Sequence, residues 1–228
     1  MARSILIAGD ESYLFSAIAA EAAKRADIFA TATIFNRFPM PDGGQPLKMP
    51  ATEKAIVLPW NPASSISSRT LVFAAESRME QINDVVFICS PPELYKNAET
   101  VMPEDIEILV NDHIKGWFLL IREIVLYFRR VGAGSLSLVE NNPAEGLIGK
   151  RQSKNSNASL LGHAAVASFK AFADGIITSP LNETCQVMGF SSSETDVKDK
   201  FAVWLFNTID KGSKKDSGRW HKYSRFRI

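Results

Sequence analysis

Cysteine is almost missing from this chain: 228 residues hold only Cys89 and Cys185, each inside an apolar run and with no Cys-x-x-Cys spacing. That excludes a disulfide-stapled scaffold and a cysteine-based zinc site, and fits a reducing, cytoplasmic setting. Excess charge of one sign is missing too, since 26 Lys and Arg stand against 25 Asp and Glu for a formal charge of +1. Without a net field, neither nucleic acid nor an anionic membrane surface is an expected partner. The histidines at 113, 163 and 221 are scattered, with neither His-x-x-x-His nor His-Glu-x-x-His spacing, so no metal site is expected. No apolar stretch reaches the ~20 residues of a bilayer span. The nearest, His113 to Phe128, is broken by Lys115, Arg122 and Glu123. Met1-Ala2-Arg3 leads straight into Ser4 to Ala8 without the long apolar core of a signal peptide, so no export signal is expected.

What is present, 46% hydrophobic and 22% charged residues, is ordinary globular composition. At this length it predicts one domain with a sizeable core. The segments alternate. Ser4 to Ala8 reads as a strand closed by Gly9, and Ser12 to Arg25 as a helix with Leu14, Phe15, Ile18 and Ala22 on one face. Further strands are expected at Ile28 to Phe35, Ala55 to Leu58, Asp84 to Cys89, Ser135 to Val139 and Thr184 to Phe190, with a Pro/Gly-rich loop over Phe38 to Pro50. Helices are expected at Ser64 to Gln81, Pro103 to about Arg130, Asn157 to about Asp174 and Glu194 to about Asp210. Pro103 and the acidic residues after it suit the positive end of a helix dipole, as Arg129 and Arg130 suit the negative end.

Repeated strand-helix units predict an α/β fold: a single-domain, Rossmann-like, doubly wound parallel sheet with helices on both faces. Its core spans about residues 3–210. Residues 211–228 form a basic, aromatic C-terminal arm, solvated or packed as a strand on a sheet edge or a neighbouring subunit. The helix around 104–130 is apolar nearly all round, and that around 157–174 carries Gly162, Ala164, Ala165, Ala167, Ser168, Ala171 and Ala173. Together they read as the interface of a homodimer or homotetramer, because symmetric association is the commonest way to cover such faces.

Several strings in this order resemble the short-chain dehydrogenase/reductase family over about residues 3–210. They are the strand ending in Ala8-Gly9, the strand Asp84 to Ile88, Val110-Asn111 with Gly116-Trp-Phe, the strand Gly134 to Val139, and Ala164 to Phe169. The resemblance implies a nicotinamide dinucleotide site and a proton-relay set. On this sequence the cofactor positions fall at Gly9 and Arg37, and the catalytic positions at Asn111, Asn141, Ser159 and His163.

The side chains at those positions differ from the family's. Its three-glycine loop reads Gly9-Asp10-Glu11-Ser12-Tyr13-Leu14-Phe15 here, which puts Tyr13 and Phe15 in the pyrophosphate's path and Asp10 and Glu11 at the helix end that should meet phosphate. Its Tyr-x-x-x-Lys falls on Ser159-Leu-Leu-Gly-His163, and a serine is less acidic than a phenol paired with an ammonium. Asn111 is retained, either for the relay or to bond a carbonyl at a helix irregularity. The segment Ser191 to Asp196 is short for a substrate lid, which implies a small or absent substrate pocket.

Three functions stand in order. The first is a family-like protein that has lost dinucleotide binding and redox catalysis and serves a structural, regulatory or assembly role, with no cofactor. The second is a divergent NAD(P)-dependent oxidoreductase of carbonyl or alcohol substrates with a rearranged site. The third is a module for a non-nucleotide small molecule at the carboxyl ends of the strands.

Overall fold

The computed structural model describes residues 2–34, 55–90, 96, 98–141, 160–192 and 198–223. Among them lie strands β1 (Ser4–Asp10), β2 (Ile28–Ile34), β3 (Ala55–Val57), β4 (Asp84–Cys89), β5 (Ser135–Asn141), β6 (Gln186–Ser192) and β7 (Arg219–Lys222). The helices are α1 (Tyr13–Arg25), α2 (Ser65–Met79), α3 (Pro103–Ile108), α4 (Lys115–Val131), α5 (Leu160–Ile177) and α6 (Lys198–Asp210). The strands form one parallel sheet in the order β3-β2-β1-β4-β5-β6-β7. Its order reverses between β1 and β4, the switch point at which doubly wound sheets open a crevice.

β1 and β4 are buried along their whole length because both sheet faces are covered, which is why they read as unbroken apolar runs. On one face Leu6 and Ala8 pack with residues of α2, α4 and α5; on the other, Ile5 and Ile7 pack with α1 and α6. Local chemistry sets the helix ends. Ser12 and Ser64 accept hydrogen bonds from Phe15 N and Ser67 N as N-caps, and Gly132 closes α4 in the left-handed region at φ 73°. Asp105, in the first turn of α3, accepts from Met102 N and Lys96 Nζ.

At the amino edge of the sheet Arg3 pairs with Asp84 and Asp210, and Arg25 pairs with Glu21 and Asp210. These contacts tie β1, β4, α1 and α6 together at one end.

Two expectations change, and one of the alternatives for the C-terminal arm is selected. The helix from Pro103 is not α-helical throughout: residues Leu109–Ile114 form a π-turn between α3 and α4, one wider turn inside a continuous rod. The C-terminal arm contains β7, whose aromatics face inward. His221 stacks on Phe190 at 5.3 Å, and Tyr223 meets Trp204 at 5.4 Å and Phe201 at 5.8 Å, so these rings are spent on the fold. Finally, α5 rather than His113 to Phe128 is the described helix long and apolar enough to cross a membrane. Its Ala165, Phe169 and Ala173 are nevertheless buried in the core, where Phe169 stacks on Phe87 at 6.1 Å.

The broad apolar surface of the long helix is partly met within the chain. Phe118 of α4 stacks on Phe172 of α5 at 4.1 Å, while Leu126 on α4 and Ala164, Ala167 and Ala171 on α5 face outward.

Candidate functional site: a crevice held by its own carboxylate

The carboxyl ends of β1, β4 and β5 bring Asp10, Ser90, Glu140 and Asn141 to the switch point. Asp10 follows Leu6 and Ala8 in strand period, so its side chain leaves the sheet on the α4 side. There it is 2% exposed and accepts three hydrogen bonds. Oδ2 accepts from Ser90 N at 2.7 Å; Oδ1 accepts from the Trp117 indole Nε1 at 3.0 Å and lies 2.9 Å from His113 Nδ1. An ionised carboxylate only accepts, so this contact makes Nδ1 the protonated imidazole nitrogen. His113 and Trp117 stand four residues apart across the junction of the π-turn and α4, one helical turn that points both at the same oxygen. Their rings meet edge to face at 5.9 Å.

The carboxyl ends of β1 and β5 are acidic here, with Asp10 and Glu140 both buried. Burial, with the negative charges of Asp10 and Glu140 added to it, pushes the Cys89 thiol well above its usual range. Glu140 is itself buried and pairs in register with Cys89. Asn141 Nδ2 donates to Ser90 Oγ at 2.8 Å, so β5 is linked to the same junction.

Among the described residues, the positions carried over from the resemblance lie on four elements: β1, the π-turn, β5 and α5. Gly9 sits inside β1 at φ 131°, where a Cβ would lie 2.0 Å from Ile88 O, so the approach of β4 alone demands glycine. Asn141 joins the Asp10 junction through Ser90. Asn111 is exposed on the π-turn and His163 is exposed on α5. Arg37 and Ser159 lie outside the described residues, as do the Phe38 to Pro50 loop and residues 193–196 of the short segment after β6.

Two details of the loop also change. Phe15 is fully buried in the core between α1 and α6, whereas Tyr13, 68% exposed, stands at the α1 terminus. Asp10 does not serve the α1 dipole, which Ser12 caps; it turns across the sheet to Ser90, His113 and Trp117.

Sequence reasoning passed over His113 and Trp117 because their partner is more than a hundred residues away. The signal was a carboxylate at the end of a wholly apolar strand, which has to find donors when buried.

No protein-family model matches the sequence, and no curated protein matches it. Solved structures do. A 3-ketoacyl-(acyl-carrier-protein) reductase from Brucella melitensis complexed with NADH superposes with a TM-score of 0.73 at 14% identity, over 99% of this chain and 98% of that one. A short chain dehydrogenase from Mycobacterium smegmatis gives 0.74 at 11% identity, over 100% and 93%. The chain therefore has the short-chain dehydrogenase/reductase fold: a Rossmann-like parallel sheet covered by helices on both faces.

Three features at the carboxyl ends of β1, β4 and β5 bear on an anionic ligand. The Ser90 N–H at the end of β4 is already taken by Asp10, the α1 N-terminus is capped by Ser12, and the ends of β1 and β5 carry the buried carboxylates of Asp10 and Glu140, which oppose a pyrophosphate.

Proposed function

We propose that this chain keeps the short-chain dehydrogenase/reductase fold without nicotinamide dinucleotide binding or redox catalysis, and works as a structural, regulatory or assembly component. The observation that carries the reading is the Asp10 carboxylate, bound at the switch point by Ser90, His113 and Trp117. Calorimetric titration with NADH and NADPH, with thermal shift beside it, is the test, because a ligand that binds only the folded state raises its apparent stability. No heat of binding and no shift at millimolar nucleotide is the expected result; saturable binding overturns the reading.

The working unit in this reading is a homodimer or homotetramer. The outward Leu126 of α4 and the small outward residues Ala164, Ala167 and Ala171 of α5 support it, since a flat strip of small side chains lets a second helix approach closely. Sedimentation velocity of wild type and Ala167→Arg measures it: the variant is expected to sediment as a smaller species, and an unchanged coefficient removes these helices as the interface. Two buried free thiols support a reducing, cytoplasmic location.

A second reading, a divergent NAD(P)-dependent oxidoreductase of carbonyl or alcohol substrates, draws on the near full-length match to the Brucella reductase complexed with NADH. It would use Asn111, Asn141, Ser159 and His163. Saturable nucleotide binding makes it the leading reading, and a carbonyl-substrate screen with His163→Ala as control then follows.

A further inference from the structure

A carboxylate buried at the carboxyl end of a central strand is expensive unless the donors around it are fixed in place. The donors around Asp10 come from separate parts of the chain: the backbone N–H of Ser90 after β4, His113 in the π-turn and the Trp117 indole N–H in α4. A backbone N–H, an imidazole and an indole converging on two oxygens are the groups a protein offers to a bound oxyanion.

We propose that Asp10 is a built-in occupant of the crevice: its carboxylate fills an oxyanion site made by Ser90, His113 and Trp117, and so latches β1 to β4 and to the π-turn. The proposal rests on the reading that the crevice takes no dinucleotide, and supplies the residue responsible. It also accounts for the position of the π-turn. The wider turn covers Leu109–Ile114 immediately before α4, and His113 within it and Trp117 beyond it reach the same Asp10 oxygen. Nothing in the local sequence, Leu-Val-Asn-Asp-His-Ile, breaks an α-helix by itself.

If the carboxylate is an occupant, a free one can replace it. The variants are Asp10→Ala, which empties the site, and Asp10→Asn, which keeps its shape with a single acceptor oxygen. The probe is sodium formate, with sodium chloride at equal ionic strength as control. Asp10→Ala is expected to melt roughly 10 °C below wild type, because three donors lose their acceptor. Formate should raise the melting temperature of Asp10→Ala saturably and recover at least half of that loss, while wild type and Asp10→Asn do not respond.

The Trp117 indole N–H resonance, assigned with Trp117→Phe, should move in Asp10→Ala and return with formate. The proposal is overturned if Asp10→Ala melts with wild type, or if it is destabilised and formate changes neither its melting nor the resonance. Should Asp10→Ala fail to fold, Asp10→Asn decides: a wild-type melting temperature and an unmoved Trp117 resonance overturn the latch, and a lower melting temperature with a moved resonance supports it. Binding of NADH to wild type would sink the proposed function and leave the formate result standing, whereas formate failure without NADH binding removes the latch alone.

Discussion

The indole of Trp220 lies flat enough on Gly189 that a Cβ there would sit 2.4 Å from the ring. This contact between the edge strand β7 and its neighbour β6 replaces a side chain with an aromatic plate. Asp174 accepts from the indole N–H, and Lys170 stands 4.0 Å over the ring. Replacing Trp220 with alanine should cost about 2 kcal/mol in urea denaturation through lost packing and the lost cation–π contact. Rapid hydrogen exchange confined to residues 219–222 should accompany it. An unchanged exchange pattern would mean that β7 is held by its backbone alone.

Gly9→Ala tests whether this glycine is needed by the sheet. With φ at 131° and Ile88 O in the place of the Cβ, the substitution must push β1 and β4 apart. The expected loss is about 3 kcal/mol or more, in the absence of any nucleotide. Equal denaturation curves for variant and wild type would contradict the packing requirement.

Acid sensitivity follows from Glu21. Burial raises its carboxyl, but hydrogen bonds and charge from Lys24 and Arg25 outweigh that and hold it below the usual carboxylate range. The folded value then lies under the unfolded one, so the stabilisation is complete above the ordinary glutamate range and is lost as pH falls through the folded value. Glu21→Gln is expected to be less stable than wild type at pH 7 and to converge with it as pH is lowered toward 3, read as urea midpoints. Parallel curves across that range would refute the assignment.

The thiols should be silent in the native protein. Burial pushes Cys185 up to about 11, and Cys89 lies deeper, beside two carboxylates. A disulfide reagent at pH 8 is expected to titrate neither within minutes, and both after unfolding in urea. Fast reaction of Cys89 in the native state would indicate that the carboxyl end of β4 opens to solvent.

The sheet was legible because parallel, doubly covered strands leave a plain mark: Asp84 to Cys89 is a strand with the same ends in sequence and structure. Ser12 and Ser64 likewise marked helix starts through chemistry local to each position. What local pattern could not carry was anything decided across the fold. Asn111 hinted at a helix irregularity, but the extent and purpose of the π-turn over Leu109 to Ile114 were not legible, because the wide turn aligns His113 and Trp117 with Asp10 on a distant strand. For the C-terminal arm the sequence offered an edge strand as one placement, and the Trp220 contact with Gly189 is what selects it. Phe15 carried two readings. The helix periodicity had already put it on one face with Leu14 and Ile18, and that face, which buries against β1, decides its place over the match to a glycine loop.

The clamp at the amino edge joins the beginning of the chain to its last helix, Arg3 to Asp210 and Arg25 to Asp210. During synthesis the central strand and its first helix emerge long before that carboxylate exists. Until α6 has left the ribosome, the apolar face shared by Ile5, Ile7, Phe15 and Ile18 has no cover from Phe201, Leu205 or Phe206. β1 and α1 are thus made well before α6, and the apolar face they share stays without that cover until α6 is synthesised.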